Sequence, residues 1–264
     1  AFSLSEPGAG SDVAALRATA LRDGDHYVLN GEKNWITSGA QADIVVVFAK
    51  TDPSAGHRGI SAFLVEKDTP GLTVGKAEKK MGLKASETVS LSFADCRIPV
   101  ESLLAREGMG FKIAMTELDS GRIGVGAQAV GIAQGALERS VRYAQERTAF
   151  GQPIGEFEAI QWMIAEMATR LEAARLLVHR AAVMKAAGEP FTRQASTAKL
   201  YASEAATFVT HRAIQIHGGY GYTEDYIVER CYRDARVTEI YEGTSEIQRL
   251  VIARAWLREH AVGS

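Results

Sequence analysis

The hydrophobic period of this chain changes near Glu107, and that change limits what the chain can fold into. Before it, short segments alternate apolar and polar residues, as from Thr88 to Phe93, which is the pattern of a strand with one buried face. After it, apolar residues recur at helical spacing over long stretches, one of which stops at Gly188-Glu189-Pro190. We therefore predict an α+β chain, with a small antiparallel β-barrel or sandwich over residues 1–107 and a four-helix bundle over residues 108–264.

Several segments define the elements more closely. The continuous β-branched and apolar run from Ile44 to Phe48 predicts a strand buried on both sides, while the alternation from Ile60 to Leu64 predicts one buried face. Arg22-Asp23-Gly24-Asp25 has the chemistry of a hairpin turn, because glycine accepts a positive φ. In the helical part, we expect the first helix to end near Glu146 and the last to begin after Thr244.

Composition and charge exclude several classes of protein. Hydrophobic residues make up 46% of the chain and charged residues 23%, the balance of an ordered globular protein. The formal net charge of -2 gives no field that would favour nucleic acid or an anionic membrane as a partner. The longest apolar run, Ile44 to Ala49, is too short to cross a bilayer, so we expect no membrane-spanning segment.

The reactive side chains show no metal or nucleophile pattern. Cys96 and Cys231 are far apart, and neither they nor the six histidines have ligand spacing, so we expect no disulfide scaffold and no metal site. There is no GxSxG motif to suggest a nucleophilic serine. The chain opens at Ala1, without a Met and in strand-like alternation, and we expect an upstream segment.

Two segments of the first half could hold a flat or phosphorylated ligand. From Ser5 to Asp12, a proline and two glycines leave backbone N–H groups unobstructed, and Ser11 adds a hydroxyl, although a plain turn between strands explains the composition equally well. Further on, Trp35 offers a ring for stacking and Thr37 a hydroxyl for a hydrogen bond, although a core tryptophan is the commoner case.

Two segments of the second half could also carry chemistry. Arg147 and Phe150 suit a diphosphate and an adenine, although a cation at a helix C-terminus is an alternative explanation. Thr244 or Ser245 can cap the last helix, which leaves Glu242 without a structural explanation. A carboxylate shielded from water becomes a stronger base, but in isolation this segment also fits a solvated loop.

In this order, and together with Asp119-Ser120-Gly121-Arg122 and the segment Gln215 to Gly219, these segments resemble the acyl-CoA dehydrogenase family over the whole chain. The family has N-terminal helices, a middle β domain and a C-terminal four-helix domain, and the chain resembles the last two. The resemblance is closest to the short-chain, butyryl-type members. It implies an FAD cofactor and the α,β-dehydrogenation of an acyl-CoA thioester to a trans-2-enoyl-CoA.

The resemblance also assigns roles to individual residues. Leu4 and Ser5 would form hydrogen bonds to the flavin ring, and Gly10 and Ser11 would lie near the pyrophosphate of FAD and the CoA chain. Trp35, Ile36 and Thr37 would line the other side of the flavin ring. Thr244 and Glu246 would contact the same flavin, that of their own subunit. The adenine half of a neighbouring subunit's flavin would be held by Arg147, Phe150, Gln215, Gly218 and Gly219. The substrate contacts implied are Ser11, Asp119, Arg122 and Tyr241.

The family places its catalytic base at one of two positions. One corresponds to Glu242 and the other to Gly121, which has no side chain, so the resemblance implies that Glu242 is the base. Glu158 departs from the family pattern, which has Gln on the adenine side.

The resemblance further implies an electron-transferring flavoprotein as acceptor and a homodimer or homotetramer. It also implies a bacterial cytoplasmic location, or the mitochondrial matrix in a eukaryote. Two alternatives stay open: an acyl-CoA oxidase, and an inactive fragment that binds flavin or oligomerises.

Overall fold

The computed structural model describes residues 1–261 and separates into two compact units, Ala1–Glu117 and a second that begins at Leu118. Each unit has its own hydrophobic core. The division at residue 107 remains a prediction. Among the described residues, no helix combines the length and the apolar character needed to cross a bilayer.

The first unit is a curled sheet. Its strands are β1 (Phe2–Ser3), β2 (Thr19–Asp23), β3 (His26–Thr37), β4 (Ile44–Lys50), β5 (Ile60–Glu66), β6 (Leu72–Val74) and β7 (Thr88–Pro99). The order is β1-β4-β2-β3-β7-β6, with β5 paired to β4. The long pairings are antiparallel, and β2 meets β3 through the predicted hairpin, where Gly24 has φ 63°.

Two strands of this sheet differ from prediction in how they are buried. In β4, Ile44 is exposed, and continuous burial is confined to Val47 and the residues after it. The alternation predicted for β5 is wrong, because Ser61 and Phe63 are buried while Leu64 is exposed. The cause lies further along the chain, where the N–H of Gly108 donates to the Ser61 hydroxyl at 2.9 Å and the following residues cover this part of β5.

The second unit is helical. Its helices are α1, which begins in the first unit (Gly110–Glu146), α2 (Glu158–Ala186), α3 (Thr192–His217), α4 (Val228–Arg236) and α5 (Ser245–Glu259). A short ribbon of β8 (Thr148–Ala149) and β9 (Gln152–Pro153) lies between α1 and α2. Sheet and helices together confirm the predicted α+β class. The short helix α4 is an addition to the four predicted helices.

Helix ends follow the local chemistry of the sequence. Helix α1 ends at Glu146 as predicted, and α3 ends before Gly218, whose positive φ of 59° favours glycine although its ψ of -135° is not that of the predicted left-handed cap. One face of α3 consists largely of alanines, such as Ala198 and Ala202, which let the backbone approach its neighbours closely. Two large polar side chains on α3, Lys199 and His217, are nevertheless buried.

Candidate active site

Glu242 lies on a strained turn between α4 and α5. Its φ is 56° and that of Gly243 is 91°, so two successive residues are left-handed, which is uncommon for a residue with a side chain. The next residue, Thr244, caps α5 by accepting a hydrogen bond from the N–H of Ile247 at 3.4 Å. Glu242 thus lies just before the N-terminus of α5, and its backbone has a conformation that the surrounding structure must stabilise.

Two buried side chains hold this turn from inside the helical unit. Lys199, on α3, donates from Nζ to the Gly243 carbonyl at 2.8 Å. Gln248, on α5, donates from Nε2 to the carbonyls of Glu242 at 3.2 Å and Gly243 at 2.9 Å. Lys199 and Gln248 are both fully buried. The carbonyls of the turn are therefore fixed by donors on two different helices.

The carboxylate of Glu242 packs on the backbone of α1 at Gly121. A Cβ placed on Gly121 would be 2.9 Å from Cδ of Glu242 and closer still to Oε2. Gly121 thus supplies no base of its own, and its missing side chain makes room for the carboxylate.

Arg122 places a buried positive charge beside this turn. Its Nη1 donates to Oδ1 of Asp119 at 2.6 Å and to the hydroxyl of Ser196 at 3.3 Å. Burial lowers the pKa of Arg122, while Asp119 and Glu242 oppose that shift. The Nε of Arg122 is buried and has no hydrogen-bond partner among residues 1–261, so its N–H is available to donate to a ligand. Asp119, in contrast, already uses its second oxygen to accept from Thr192 at 2.6 Å.

Burial shifts two further groups around Glu242. It lowers the pKa of Lys199 to about 8, and the nearby charge of Arg122 acts in the same direction. It raises the pKa of Tyr241 to about 12, with a second contribution from Glu242, and the Tyr241 hydroxyl donates to Gln128 on α1. The turn is therefore enclosed by two cations and a neutral phenol.

In the first unit, a buried ion pair anchors the loop that begins at Ser5. Lys33 donates from Nζ to Oε1 of Glu6 at 2.8 Å and to the carbonyl of Leu4 at 3.1 Å, and both charged side chains are buried. The same carboxylate accepts from the N–H groups of Arg17 and Ala18, at 2.6 and 3.0 Å. Burial lowers the pKa of Lys33, and Glu6 opposes this. Leu4 is therefore fixed while Gly10 and Ser11, further along the loop, are exposed.

A bulge at the end of β3 presents Trp35. The register between β3 and β7 shifts between Lys33 and Ile36, and the Asn34 N–H donates to the Ser5 carbonyl at 2.9 Å. Within the bulge Trp35 takes φ 63° and is 62% exposed. The side chain of Ile36 points into the core, so the flavin contact predicted for this residue can involve only its backbone. Thr37, in contrast, is exposed.

The second unit has another candidate site at the C-terminal end of α3. An open groove of about 470 Å³ is lined by Arg147, His217, Gly218, Gly219 and Tyr220, among others. The guanidinium of Arg147 lies over the Tyr220 ring, 5.5 Å from its centroid. A Cβ on Gly218 or Gly219 would meet nothing within 4 Å, so the backbone there is open to a ligand.

Two other residues predicted for this site are also exposed. Phe150, in the β8–β9 turn, has φ 51° and is 96% exposed. Gln215 faces solvent on the last turn of α3. Nineteen positions separate Lys199 from Gly218, which is about 28 Å along a helix axis. The groove and the Glu242 turn are therefore two distinct sites on this unit.

Family models match both units. The model described as "Acyl-CoA dehydrogenase, middle domain" matches residues 1–96, and the one described as "Acyl-CoA dehydrogenase, C-terminal domain" matches residues 108–257. The chain belongs to the acyl-CoA dehydrogenase family.

Relatives of known name agree with this family. The chain is 57% identical to the acryloyl-CoA reductase (NADH) of Anaerotignum propionicum, covering 96% of this chain and 65% of the relative. It is 58% identical to the mitochondrial short-chain specific acyl-CoA dehydrogenase of Mus musculus, covering 98% of this chain and 63% of the relative. The structure of butyryl-CoA dehydrogenase from Megasphaera elsdenii superposes with a TM-score of 0.96 at 51% identity, covering 97% of this chain and 67% of that one. The chain thus spans just under two thirds of the first of these relatives.

Sequence reasoning missed the interior polar residues of this family member. Lys199 stands between Ala198 and Ala202 on the small-residue face of α3, a placement that could have signalled a buried cation. Gln248 and the Glu6–Lys33 pair gave no local signal, because their partners are determined by the fold. Thr244 caps α5, as predicted for Thr244 or Ser245, and a hydrogen bond from Thr244 lowers the pKa of Glu246. The flavin contacts of Thr244 and Glu246 remain predictions.

Proposed function

We propose that the protein containing this chain catalyses the FAD-dependent α,β-dehydrogenation of an acyl-CoA thioester, with Glu242 as the base. The observation that carries this proposal is the Glu242 carboxylate itself, held on a strained turn against Gly121. A solvated loop glutamate has no need of two buried donors on its turn or of a glycine beneath its carboxylate. Such costs are typical of residues whose geometry serves a reaction.

Glu242 removes the α-proton of the thioester in this proposal. That proton is a weak acid, so removal needs hydrogen bonds to the thioester carbonyl that stabilise the developing enolate. The family resemblance assigns one of these donors to the backbone N–H of Glu242, whose orientation follows from its positive φ. FAD, when bound, supplies the acceptor for the β-hydrogen, which leaves as a hydride.

The residues present fit a flavin. Acyl-CoA dehydrogenases are FAD flavoproteins. Trp35 offers an exposed aromatic face, and Leu4 is held by an ion pair beside an open glycine-rich loop. In the helical unit, Arg147 offers a guanidinium for phosphate oxygens, and Gly218 and Gly219 offer unobstructed backbone.

Assembly is part of the proposal. Because the Arg147 groove and the Glu242 turn are about 28 Å apart along α3, we assign them to two different flavins, one of which belongs to a neighbouring subunit. The almost fully exposed ring of Phe150 supports this assignment. A homodimer or homotetramer follows, with an electron-transferring flavoprotein as acceptor.

The resemblance to short-chain relatives supports a short acyl substrate, of about four carbons. The same resemblance supports a cytoplasmic location if the source is bacterial and the mitochondrial matrix if it is eukaryotic. Preference among chain lengths is expected to be graded, because one methylene in an apolar pocket discriminates by only about 1–3 kcal/mol.

A second candidate is suggested by the relative named acryloyl-CoA reductase (NADH). Removing and adding a hydrogen pair across the same carbon–carbon bond use the same base, so the Glu242 site suits either direction. An oxidase would also share this site. Anaerobic mixing with butyryl-CoA, with crotonyl-CoA plus reductant, and then with air distinguishes the three activities.

The test of the base is Glu242→Gln in the protein expressed from its complete reading frame. The amide keeps the size of the side chain but cannot take a proton, so flavin should remain bound while butyryl-CoA no longer bleaches it. Loss of the base should slow reduction by a factor of about 10² to 10⁴. Glu172→Gln, which changes an exposed glutamate of α2, is the matched control. Undiminished bleaching by Glu242→Gln would refute the assignment.

A further inference from the structure

Lys199 is a large polar side chain in a part of the fold built from small apolar ones. It is fully buried on α3, and its near neighbours along the same helix are Ala195, Ala198 and Ala202. Burying an ammonium group is unfavourable unless charges and hydrogen bonds compensate for the lost hydration. A lysine at this position therefore needs an explanation beyond packing.

The explanation lies in a hydrogen bond from α3 to the turn. Nζ of Lys199 donates to the carbonyl of Gly243 at 2.8 Å, and Nε2 of Gln248 donates to the same carbonyl at 2.9 Å. Gly243 takes φ 91° and Glu242 takes φ 56°. The left-handed backbone of Glu242 sets the direction in which its side chain leaves the turn, and the two hydrogen bonds to the Gly243 carbonyl fix the peptide that follows.

We propose that Lys199 is a positioning residue, which holds the Gly243 carbonyl so that the carboxylate of Glu242 stays over Gly121. This inference rests on the proposed role of Glu242 as the base. A misplacement of about 1 Å in a reacting group can cost about 10²-fold in rate, so a hydrogen bond that fixes a turn can matter as much as a direct contact with substrate. Lys199 itself need touch neither substrate nor cofactor.

The charges around Lys199 support this arrangement. Arg122 on α1 repels it, while Glu239 before the turn, Glu242 on the turn and Glu246 on α5 attract it. Three carboxylates thus offset part of the repulsion from Arg122 and of the cost of burial, and the pKa of Lys199 is still lowered. The charge of Lys199 therefore interacts with the carboxylate of Glu242, in addition to the hydrogen bond that its ammonium donates to the turn.

The test compares Lys199→Met with wild type in the FAD-loaded, full-length protein. Methionine fills a similar volume without a donor or a charge, and the Gly243 carbonyl keeps its hydrogen bond from Gln248. Because burial lowers the pKa of Lys199, folding disfavours its charged form, so removing the charge should not destabilise the protein. We expect an unchanged or higher Tm, a fall of about 10- to 100-fold in the rate of flavin reduction by butyryl-CoA, and a KM within about threefold of wild type. A purely structural lysine would give the opposite pattern, a lower Tm with an undiminished rate.

Amide hydrogen exchange supplies a readout that does not depend on activity. Residues 240–248 should exchange faster in Lys199→Met than in wild type, whereas Lys185→Met, at an exposed lysine on α2, should leave both exchange and rate unchanged. Gln248→Leu removes the other hydrogen bond to the Gly243 carbonyl. Because both side chains act on one group, the Lys199→Met, Gln248→Leu double variant should lose less rate than the product of the two single losses.

The outcomes separate the two proposals. If wild type is not reduced by any acyl-CoA, the proposed function fails, and the exchange rates alone then decide whether Lys199 holds the turn. If wild type is reduced and Lys199→Met has wild-type rate and exchange, the positioning role is wrong while the function stands. Should Lys199→Met not fold, Lys199→Gln, which retains a shorter donor, is expected to fold and to show the same losses in part, and wild-type behaviour there overturns the inference.

Discussion

Replacing Gly121 by Ala is expected to stabilise α1 and to slow the reaction at the same time. Gly121 lies in the interior of α1, where an alanine is favoured over glycine by about 1 kcal/mol. The variant should therefore unfold at an equal or higher temperature than wild type. The expected loss of rate has a different origin, the contact between position 121 and Glu242.

The structure gives the size of that effect. The new Cβ would be 2.9 Å from Cδ of Glu242. Carbon atoms that do not bond prefer about 3.5–4.0 Å, so the carboxylate carbon must retreat by about 0.6–1 Å and the nearer oxygen by more. Glu242 can do this by rotating its side chain, which is why the fold survives. A displacement of about 1 Å at a reacting group can cost about 10²-fold in rate, or about 2.7 kcal/mol.

Gly124 provides the matched control. It lies one turn further along α1, and a Cβ there would meet nothing within 4 Å. Gly124→Ala should therefore gain the same helix propensity without a loss of rate. The assay is anaerobic flavin reduction by butyryl-CoA in a stopped-flow instrument, with a thermal unfolding curve for each variant. If Gly121→Ala reduces its flavin as fast as Gly124→Ala does, the carboxylate does not act from the position seen over Gly121.

Other expectations concern stability and pH. Lys33→Met leaves the buried carboxylate of Glu6 without its cation and should destabilise the protein by about 3–5 kcal/mol in urea unfolding. Lys67→Met, at an exposed ion pair, should cost far less, and equal costs for the two variants would contradict the burial argument. Because the pKa of Lys199 is lowered to about 8 from an ordinary 10.5, the unfolded chain binds more protons between those values, so this group makes stability rise from about pH 8 to 10.5. Subtracting the pH curve of Lys199→Met from that of wild type should isolate this rise, and a flat difference would show that the pKa is not lowered. Thr244→Ala removes the cap of α5 and should cost about 1 kcal/mol, with Thr244→Ser retaining most of the stability.

Features specified by neighbouring residues could be predicted from the sequence. The hairpin at Gly24, the end of α3 before Gly218 and the start of α5 at Thr244 each depend on one residue's backbone preference or hydroxyl. The α+β class followed from the hydrophobic period alone. The family motifs, in turn, pointed to Glu242 without reference to its surroundings.

Features that depend on distant parts of the chain could not be predicted in this way. Ser61 is buried in β5 because Gly108 and the residues after it lie against that strand, and periodicity within β5 carries no record of them. Ile36 turns inward because a bulge shifts the register of β3 against β7. Lys33 has its partner in Glu6, on another segment of the unit, so a strand pattern could show only an anomalous lysine.

The Glu242 turn combines two costs that would each be unfavourable alone. A left-handed residue with a side chain costs about 1–2 kcal/mol, and a buried lysine costs more unless it is well compensated. Here the lysine donates to the carbonyl of the turn, so the ammonium gains an acceptor and the turn gains a fixed orientation from one hydrogen bond. An apolar residue at 199 would leave the Gly243 carbonyl with Gln248 as its donor, and a relaxed turn would deprive the Lys199 ammonium of this acceptor. The strain at Glu242 and the buried charge at Lys199 are therefore best understood as one device, which is why the same turn should be sensitive to changes on α1, on α3 and on α5.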